Sequence, residues 1–303
     1  MRPRNSLRRL KSAQVPELAM PTISQALAQG QSLSIDRLDA QLLLLHTLGK
    51  PAQDRAWLLA HDTDALASAM QAPFDACVQR RAAGEPLAYI TGHKEFFGID
   101  LRVDARVLVP RPDTETLVEW ALELLPSQGL TVLDLGTGSG AIALALKATQ
   151  PALQVSALDF SEAALAVARA NADHLKLDVQ FSQGAWFAGL PRPDACFHVI
   201  VSNPPYIAAQ DPHLDALTFE PLQALASGVD GLDDIRHIIA QAPSHLFAGG
   251  WLLLEHGYDQ ASRVRGLMRA AGFSNVQSRR DLGGIERCSG GQMALTDPET
   301  ISA

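Results

Sequence analysis

The sequence predicts an α/β protein: a doubly wound, mostly parallel seven-stranded sheet with a small N-terminal helical bundle, the two joined by a β-hairpin. Apolar residues recur at helical spacing in the first third of the chain. A glycine-rich turn then connects a buried strand to a helix, and short apolar runs alternate with helical stretches towards the C-terminal end. This alternation is typical of a parallel sheet with helices on both faces.

The composition excludes several classes of protein. With 303 residues, 47% of them hydrophobic, the chain is long enough for two domains with sizeable cores. No apolar run approaches the roughly 18 residues of a transmembrane helix. A formal net charge of −8 disfavours a broad nucleic-acid surface. We therefore expect neither a membrane nor a nucleic acid as partner.

The cysteines and histidines form no pattern that indicates a metal site. Cys77, Cys196 and Cys288 lie far apart and have no zinc-binding spacing. The histidines are scattered and include no H-E-x-x-H motif. We expect reduced thiols in a cytoplasmic protein, and no metal.

The ends of the chain are predicted to lie outside the folded domains. Residues 1–20 are basic and have no apolar core, which indicates a disordered leader and not a secretory signal; a transit peptide is the alternative, since acidic residues are scarce there. Met20 stands just before the first helical pattern, so translation is expected to start there. Residues 298–303 are expected to form a short tail.

Residues 21–84 are predicted to form the helical bundle, with a break in its last helix near Pro73. The bundle carries no chemical motif, so its role is either packing or recognition of a partner. The pattern consists of Ile35, Leu38, Leu42 and Leu45 at helical spacing, followed by helical stretches at 54–60 and 64–81.

The rest of the chain is predicted to contain a linker and the sheet domain. Residues 85–110 have glycines, aromatic residues and the alternating pair Leu101 and Val103, which are typical of a β-hairpin. Residues 111–297 are assigned to the sheet domain. Its predicted strands are 131–135, 153–158, 178–181, 196–202, 250–255, 274–280 and 292–296.

The first strand of that domain runs into the loop Gly136–Gly140, which a helix follows, as at the start of a nucleotide-binding fold. The G-x-G-x-G spacing differs from the G-x-G-x-x-G of dinucleotide binders. On the loop alone, an NAD-binding site is nevertheless the first alternative interpretation. The absence of a lysine at the loop's end excludes a P-loop. Asp159 ends the next strand, where an acidic residue can accept hydrogen bonds from both hydroxyls of a ribose.

A second motif, Asn203-Pro204-Pro205-Tyr206, follows the strand at 196–202. The prolines prevent the strand from continuing, so the motif is held at a strand's carboxyl end, where α/β sheets bind ligands. The Asn203 side-chain oxygen and the Pro204 carbonyl can each accept one N–H of a planar NH2 group and direct its lone pair at an electrophile. Tyr206 offers a flat face to that group. Taken alone, the motif would suggest a proline-rich loop.

The glycine loop, Asp159 and the Asn203 motif together match S-adenosylmethionine-dependent methyltransferases that act on amino groups of amides or bases. Further motifs extend over nearly the whole chain, from about Thr22 to about Thr296. These motifs are Gly84–Gly92, Glu95–Gly98, Val109–Glu115, Glu220-Pro221, Asp230–Leu232 and Leu254–Tyr258. In them the chain resembles the release-factor glutamine methyltransferases (PrmC/HemK).

The resemblance implies a class I, Rossmann-like methyltransferase fold and S-adenosylmethionine as cofactor. It also implies methylation of the glutamine amide in the Gly-Gly-Gln loop of peptide chain release factors, by a monomer with a helical recognition domain. The implied cofactor-binding residues are Gly136, Thr137, Gly138, Ser139, Gly140, Asp159, Trp186 and Asn203. The implied substrate-binding residues are Asn203, Pro204, Pro205, Tyr206, Phe97 and Arg111. Asn203, Pro204 and Tyr206 are implied to be catalytic.

Two other functions stay open on the sequence alone. The same turn could hold the exocyclic amino group of adenine in DNA or RNA after base flipping. A non-catalytic protein that still binds S-adenosylmethionine is the third possibility. The chain's own Gly290-Gly291-Gln292 repeats the substrate motif, but it lies just before a predicted strand, which favours coincidence over self-methylation.

Overall fold

The computed structural model describes residues 20–125 and 129–295. They form two compact units, one ending at Ala83 and the other beginning at Gly84. The predicted leader, apart from Met20, and the predicted tail lie outside the described residues. None of the helices in the described ranges is long and apolar enough to cross a membrane.

The first unit is helical, as the spacing of its apolar residues predicts. Thr22 begins it with a capping box, in which its side chain accepts from the Gln25 backbone N–H while the Gln25 side chain accepts from the Thr22 backbone N–H. The helices pack through buried leucines together with Phe74 and Val78. Their bounds are Ile23–Ser32 (α1), Arg37–Thr47 (α2), Arg55–Ala60 (α3) and Ser68–Ala82 (α4).

The predicted break at Pro73 is wrong, because α4 runs through the proline without interruption. A proline inside a helix removes one backbone hydrogen bond and crowds the carbonyl four residues earlier. Phe74 and Val78, on the buried face of α4, are only 1% and 3% exposed. Burial of this face holds the helix together across the proline.

The second unit begins with a short helix, Leu87–Thr91 (α5), and an antiparallel hairpin, His93–Phe96 (β1) and Ile99–Arg102 (β2). Phe97 and Gly98 form the two-residue turn, and both have positive φ, as a type I′ turn requires. Glu115 Oε1 accepts a hydrogen bond from the Phe97 backbone N–H at 3.1 Å. This bond holds the phenylalanine in a conformation that it rarely adopts.

The second unit contains a seven-stranded sheet, which confirms the predicted fold class. Its order is β5-β4-β3-β6-β7-β9-β8; β7 and β8 both pair antiparallel with β9, and the other pairs are parallel. The strands are Thr131–Leu135 (β3), Gln154–Asp159 (β4), Gln180–Gln183 (β5), Phe197–Ser202 (β6), Leu246–Glu255 (β7), Ser274–Arg280 (β8) and Glu286–Gln292 (β9). The helices are Glu115–Leu124 (α6), Ala141–Thr149 (α7), Glu162–Leu175 (α8), Asp233–Gln241 (α9) and Ala261–Ala270 (α10).

The order of the strands reverses between β3 and β6, since β4 and β5 lie on one side of β3 and β6 and β7 on the other. Open α/β sheets bind ligands at such a switch point. Leu135 pairs with Ser202, so both strands end side by side. The Ser202 hydroxyl also donates to the Leu135 carbonyl at 2.6 Å. The loops after β3 and β6 therefore begin as neighbours.

The last strand is Glu286–Gln292 and not the predicted 292–296. The apolar residues Met293-Ala294-Leu295 predicted a strand here. In the structure, however, the last strand is formed by the more polar segment that precedes these residues. Gly290 and Gly291 explain this choice, because large side chains lie against their backbone: a Cβ on Gly290 would meet Trp120 at 2.7 Å, and one on Gly291 would meet Phe273 at 2.8 Å. The chain's own Gly-Gly-Gln is thus part of a packed strand.

Asp134 is a fully buried carboxylate in β3. Its Oδ2 accepts from the Thr137 hydroxyl at 2.6 Å and from the Ala143 backbone N–H at 3.3 Å. Its Oδ1 is buried without a hydrogen-bond partner in the described residues. Burial raises the pKa of Asp134 to about 7, against the opposing effect of the hydrogen bonds from Thr137 and Ala143.

We predict that Gly290→Ala lowers the free energy of unfolding by about 1–3 kcal/mol, since the added methyl overpacks the contact with Trp120. Gly266→Ala is the matched control. A Cβ at Gly266, in α10, meets no atom within 4 Å, so this variant should gain about 0.5–1 kcal/mol from helix propensity. Urea unfolding measures both, and equal effects would contradict the packing argument.

We predict that Asp134→Asn makes stability less dependent on pH. The pKa of Asp134 is higher in the folded chain than its ordinary 3.8, so the folded state binds more protons between these values and wild-type stability is lost as pH rises through that window. At each pH, the melting temperature of Asp134→Asn is subtracted from that of wild type. This difference should therefore fall as the pH rises from 5 to 8. Parallel profiles would show that Asp134 does not carry this dependence.

Candidate active site

A cavity of about 270 Å³ lies beyond the carboxyl ends of β3 and β6. The loops after β3, β4, β5 and β6 contribute to its wall, together with segments near Arg111 and Pro221. Most of the predicted site residues line it: Arg111, Gly136, Thr137, Gly138, Ser139, Asp159, Trp186, Asn203 and Pro205. Phe97, Gly140, Pro204 and Tyr206 lie outside this lining.

The glycine loop is held against the end of β4. The backbone N–H groups of Gly136 and Thr137 both donate to the Leu158 carbonyl at 2.9 Å. Gly138 has a φ of 56°, which is accessible to glycine at little cost. Gly140 instead packs closely against the following helix, α7, where a Cβ on this residue would meet Leu144 at 2.9 Å. The loop thus presents its first residues to the cavity and its last to the core.

Asp159 connects the glycine loop to the end of β4. Its Oδ2 accepts from the Gly138 backbone N–H and its Oδ1 from the Ser161 backbone N–H, each at 2.8 Å. Burial raises the pKa of this carboxyl, and the two hydrogen bonds oppose the shift. A carboxylate has about four lone-pair positions, so two can still accept from hydroxyl groups in the cavity.

Trp186 provides an aromatic surface on the cavity wall. Its ring packs over Gly136, where a Cβ would meet ring carbon Cζ3 at 3.4 Å. Its φ of 51° is rare for a large side chain and favours a functional constraint on this residue. The indole N–H donates to Asp234 Oδ1 at 3.2 Å, and Asp234 Oδ2 accepts from the Ser227 hydroxyl at 2.7 Å. The indole is therefore fixed on both its face and its edge.

The Asn203 turn is anchored from behind by three side chains. The Asn203 Nδ2 donates to Thr114 Oγ1 at 3.2 Å, and the Tyr206 hydroxyl donates to Glu255 Oε1 at 3.3 Å. Gln260 Nε2 donates to the Tyr206 carbonyl at 2.9 Å. Burial, reinforced by the charge of Glu255, raises the pKa of the Tyr206 phenol, so this hydroxyl remains a donor.

Arg111 reaches the cavity from the segment before α6. Its guanidinium donates to Glu220 Oε1 at 2.5 Å, while Glu220 Oε2 accepts from the Val109 backbone N–H at 3.0 Å. Glu220 is 6% exposed, and its neighbour Pro221 lines the cavity. This ion pair joins two walls that are 109 residues apart in the chain.

The sequence marked Thr114 and Glu255 only as members of the motifs Val109–Glu115 and Leu254–Tyr258, and it gave no role to Asp234. Thr114, Asp234 and Glu255 contact predicted site residues directly, and Thr114 and Asp234 also line the cavity. Acidic residues near the start of a helix, such as Asp234, are common and gave no signal. In the ranges 20–125 and 129–295, no three histidine, cysteine or acidic side chains lie together as a metal site.

Two family models match the chain. The PrmC N-terminal domain matches residues 21–92, and the methyltransferase small domain matches residues 114–274. Among solved structures, a methyltransferase from Pyrococcus furiosus is similar with a TM-score of 0.52 at 19% identity, covering 72% of this chain and 98% of that one. At this identity the similarity concerns the fold alone.

Curated relatives are much closer in sequence. The release factor glutamine methyltransferase of Coxiella burnetii is 50% identical over 253 residues, covering 83% of this chain and 90% of that protein. The protein of the same name from Pseudomonas aeruginosa is 50% identical over 261 residues, covering 85% and 93%. With half of its residues shared over most of its length, this chain belongs to the release factor glutamine methyltransferase family.

Proposed function

We propose that the chain transfers a methyl group from S-adenosylmethionine to the side-chain amide nitrogen of the glutamine in the Gly-Gly-Gln motif of peptide chain release factors. One observation carries the proposal: the glycine loop after β3 and the Asn203 turn after β6 line a single cavity. Pairing of Leu135 with Ser202 sets these two loops side by side. A methyl donor and its acceptor would meet there.

The cofactor half of the cavity suits a nucleoside. Asp159 has acceptor positions for the two ribose hydroxyls, and the Trp186 indole offers an apolar face for adenine. Gly136 and Gly138 carry no side chains, which leaves room for close approach to the backbone. Bound there, S-adenosylmethionine supplies an electrophilic methyl group on a positively charged sulfur.

On the acceptor side, Asn203 and Pro204 hold the glutamine amide. An amide nitrogen is a poor nucleophile because its lone pair is delocalised, and positive charge develops on it during attack. The Asn203 Oδ1 and the Pro204 carbonyl each accept one N–H and stabilise that charge. Positioning of this kind is worth about 7–11 kcal/mol in favourable cases. As the carbon–nitrogen bond forms, the bond between the methyl carbon and sulfur would break and S-adenosylhomocysteine would leave. The amide nitrogen then releases its proton to water, so no side-chain base is needed before attack.

The helical unit serves recognition. It contains no chemical motif, and a cavity built for an amide would not by itself select one protein. We assign residues 21–84 to a release-factor recognition domain, residues 85–110 to a hairpin linker and residues 111–297 to the methyltransferase domain. In this proposal Phe97 and Arg111 contact the substrate loop, and the enzyme acts as a cytoplasmic monomer.

We predict that Asn203→Ala lowers turnover about 100-fold or more, by analogy with the loss of one transition-state hydrogen bond. Gln210→Ala is the matched control, since it removes an exposed amide seven residues further along the chain. Peptide-mapping mass spectrometry of a release factor, incubated with enzyme and S-adenosylmethionine, measures the methyl gained on the Gly-Gly-Gln glutamine. Near-normal methylation by Asn203→Ala would refute its assigned role.

We predict that Asp159→Asn raises the Kd for S-adenosylmethionine about tenfold, because a hydrogen bond to a charged group is worth about 1.5–3 kcal/mol and the variant loses the charge. Asp173→Ala, which removes an exposed carboxylate on α8, should leave the Kd unchanged. Isothermal titration calorimetry of both variants provides the measurement. Equal affinities for wild type and Asp159→Asn would place the ribose elsewhere.

A further inference from the structure

The orientation of the Asn203 side-chain amide decides whether the turn can hold a substrate NH2. One end of this amide is an oxygen that accepts, and the other is a nitrogen that carries two donors. If the oxygen faces the substrate nitrogen, it accepts a hydrogen bond. If the amide is reversed, two sets of N–H donors face each other. The turn therefore needs a device that fixes the amide in one orientation.

Thr114 is the residue that contacts the nitrogen end of this amide. It stands just before α6, is 4% exposed and lines the cavity. Its Oγ1 accepts from Asn203 Nδ2 at 3.2 Å, across 89 residues of sequence. A hydroxyl can accept or donate, however, so Thr114 alone would tolerate either orientation of the amide.

Glu255 removes this ambiguity. It ends β7 directly behind the turn and is 1% exposed. Its Oε1 accepts from the Tyr206 hydroxyl, and its Oε2 is buried with no hydrogen bond from any described residue. Burial has the largest effect on the pKa of Glu255 and raises it to about 7, while hydrogen bonding by the Thr114 hydroxyl lowers this pKa. Above that pH most of this carboxylate is ionised and only accepts, so it favours a Thr114 hydroxyl whose hydrogen points towards it.

The direction of each hydrogen bond then follows. With its hydrogen turned to Glu255, Thr114 has only lone pairs to offer Asn203, and these can pair with Nδ2 but not with Oδ1. We propose that Thr114, oriented by the Glu255 carboxylate, is a positioning residue that keeps the Asn203 oxygen facing the substrate amide. This inference rests on the proposed function. One buried carboxylate, Glu255, then orients both polar side chains of the turn. It acts on Asn203 through Thr114 and accepts a hydrogen bond directly from Tyr206.

The test compares two replacements of Thr114. At pH 8, where most of Glu255 is ionised, Thr114→Val keeps the shape of the side chain but removes the acceptor, and should lower kcat at least tenfold while the Kd for S-adenosylmethionine changes less than threefold. Thr114→Ser keeps the hydroxyl and should retain kcat within about threefold. Thr149→Val is the matched control. It makes the same chemical change on an exposed threonine of α7 whose hydroxyl bonds only within its own helix.

A double-mutant cycle separates positioning from other effects. If Thr114 acts through Asn203, then Thr114→Val causes no further loss of kcat in an Asn203→Ala background. Independent, multiplying losses would overturn the proposal, and so would a rise in the Kd for S-adenosylmethionine that matches the fall in kcat. Melting temperatures confirm that each variant is folded.

A readout without turnover distinguishes this proposal from the proposed function. The Asn203 side-chain NH2 signal is assigned in a ¹⁵N–¹H NMR spectrum by its loss in Asn203→Ala. Its hydrogen exchange should be slow in wild type and in Thr114→Ser, and at least tenfold faster in Thr114→Val. Equal exchange in wild type and Thr114→Val would refute the positioning role. Slow exchange in a wild type that methylates no release factor would reject the proposed function alone.

Discussion

The parallel pairing of β3 with β6 is the interaction on which the site depends. These strands are adjacent in the sheet although about 60 residues separate them in the chain, and both end at the same edge. The Ser202 hydroxyl, fully buried, ties the two ends together at Leu135. A shift of one residue in this register would turn every side chain of β6 to the opposite face. The glycine loop and the Asn203 turn would then no longer share a cavity.

At this edge of the sheet the strands bring the loops near each other. Buried polar groups then hold the loops in place. Asp134 fixes the glycine loop from below, Glu220 joins two walls through Arg111, and Glu255 supports the Asn203 turn. A buried carboxylate is costly unless it is hydrogen-bonded, so each of them must keep its partners in place. This requirement makes the loops rigid and explains how short segments can present backbone and amide groups in fixed directions.

The sequence predicted the parts of the fold that are set by local patterns. Strand β3 has the predicted bounds because an apolar run marks it. Strand β8 also has the predicted bounds, although Val276 is its single apolar residue. The position of β9 could not be predicted in this way, since it depends on Trp120 and Phe273, which come from distant segments and require glycine opposite them. Likewise, the glycine loop and the Asn203 motif are visible in the sequence, whereas the bond between Asn203 and Thr114 joins two segments that no local pattern relates.

Asn171, on α8, is fully buried and makes three hydrogen bonds. Its side chain donates to the carbonyls of Ser139 and Arg102 and accepts from the Arg102 backbone N–H. The Asn171 amide thus bonds both to the hairpin strand β2 and to the glycine loop. These bonds connect the two segments only through Asn171. If the hairpin separates from α8, Asn171 loses the partners that align it with Ser139. We therefore expect these two segments to open and close as one cooperative unit, which couples the hairpin to the loop on which the cofactor half of the cavity is built.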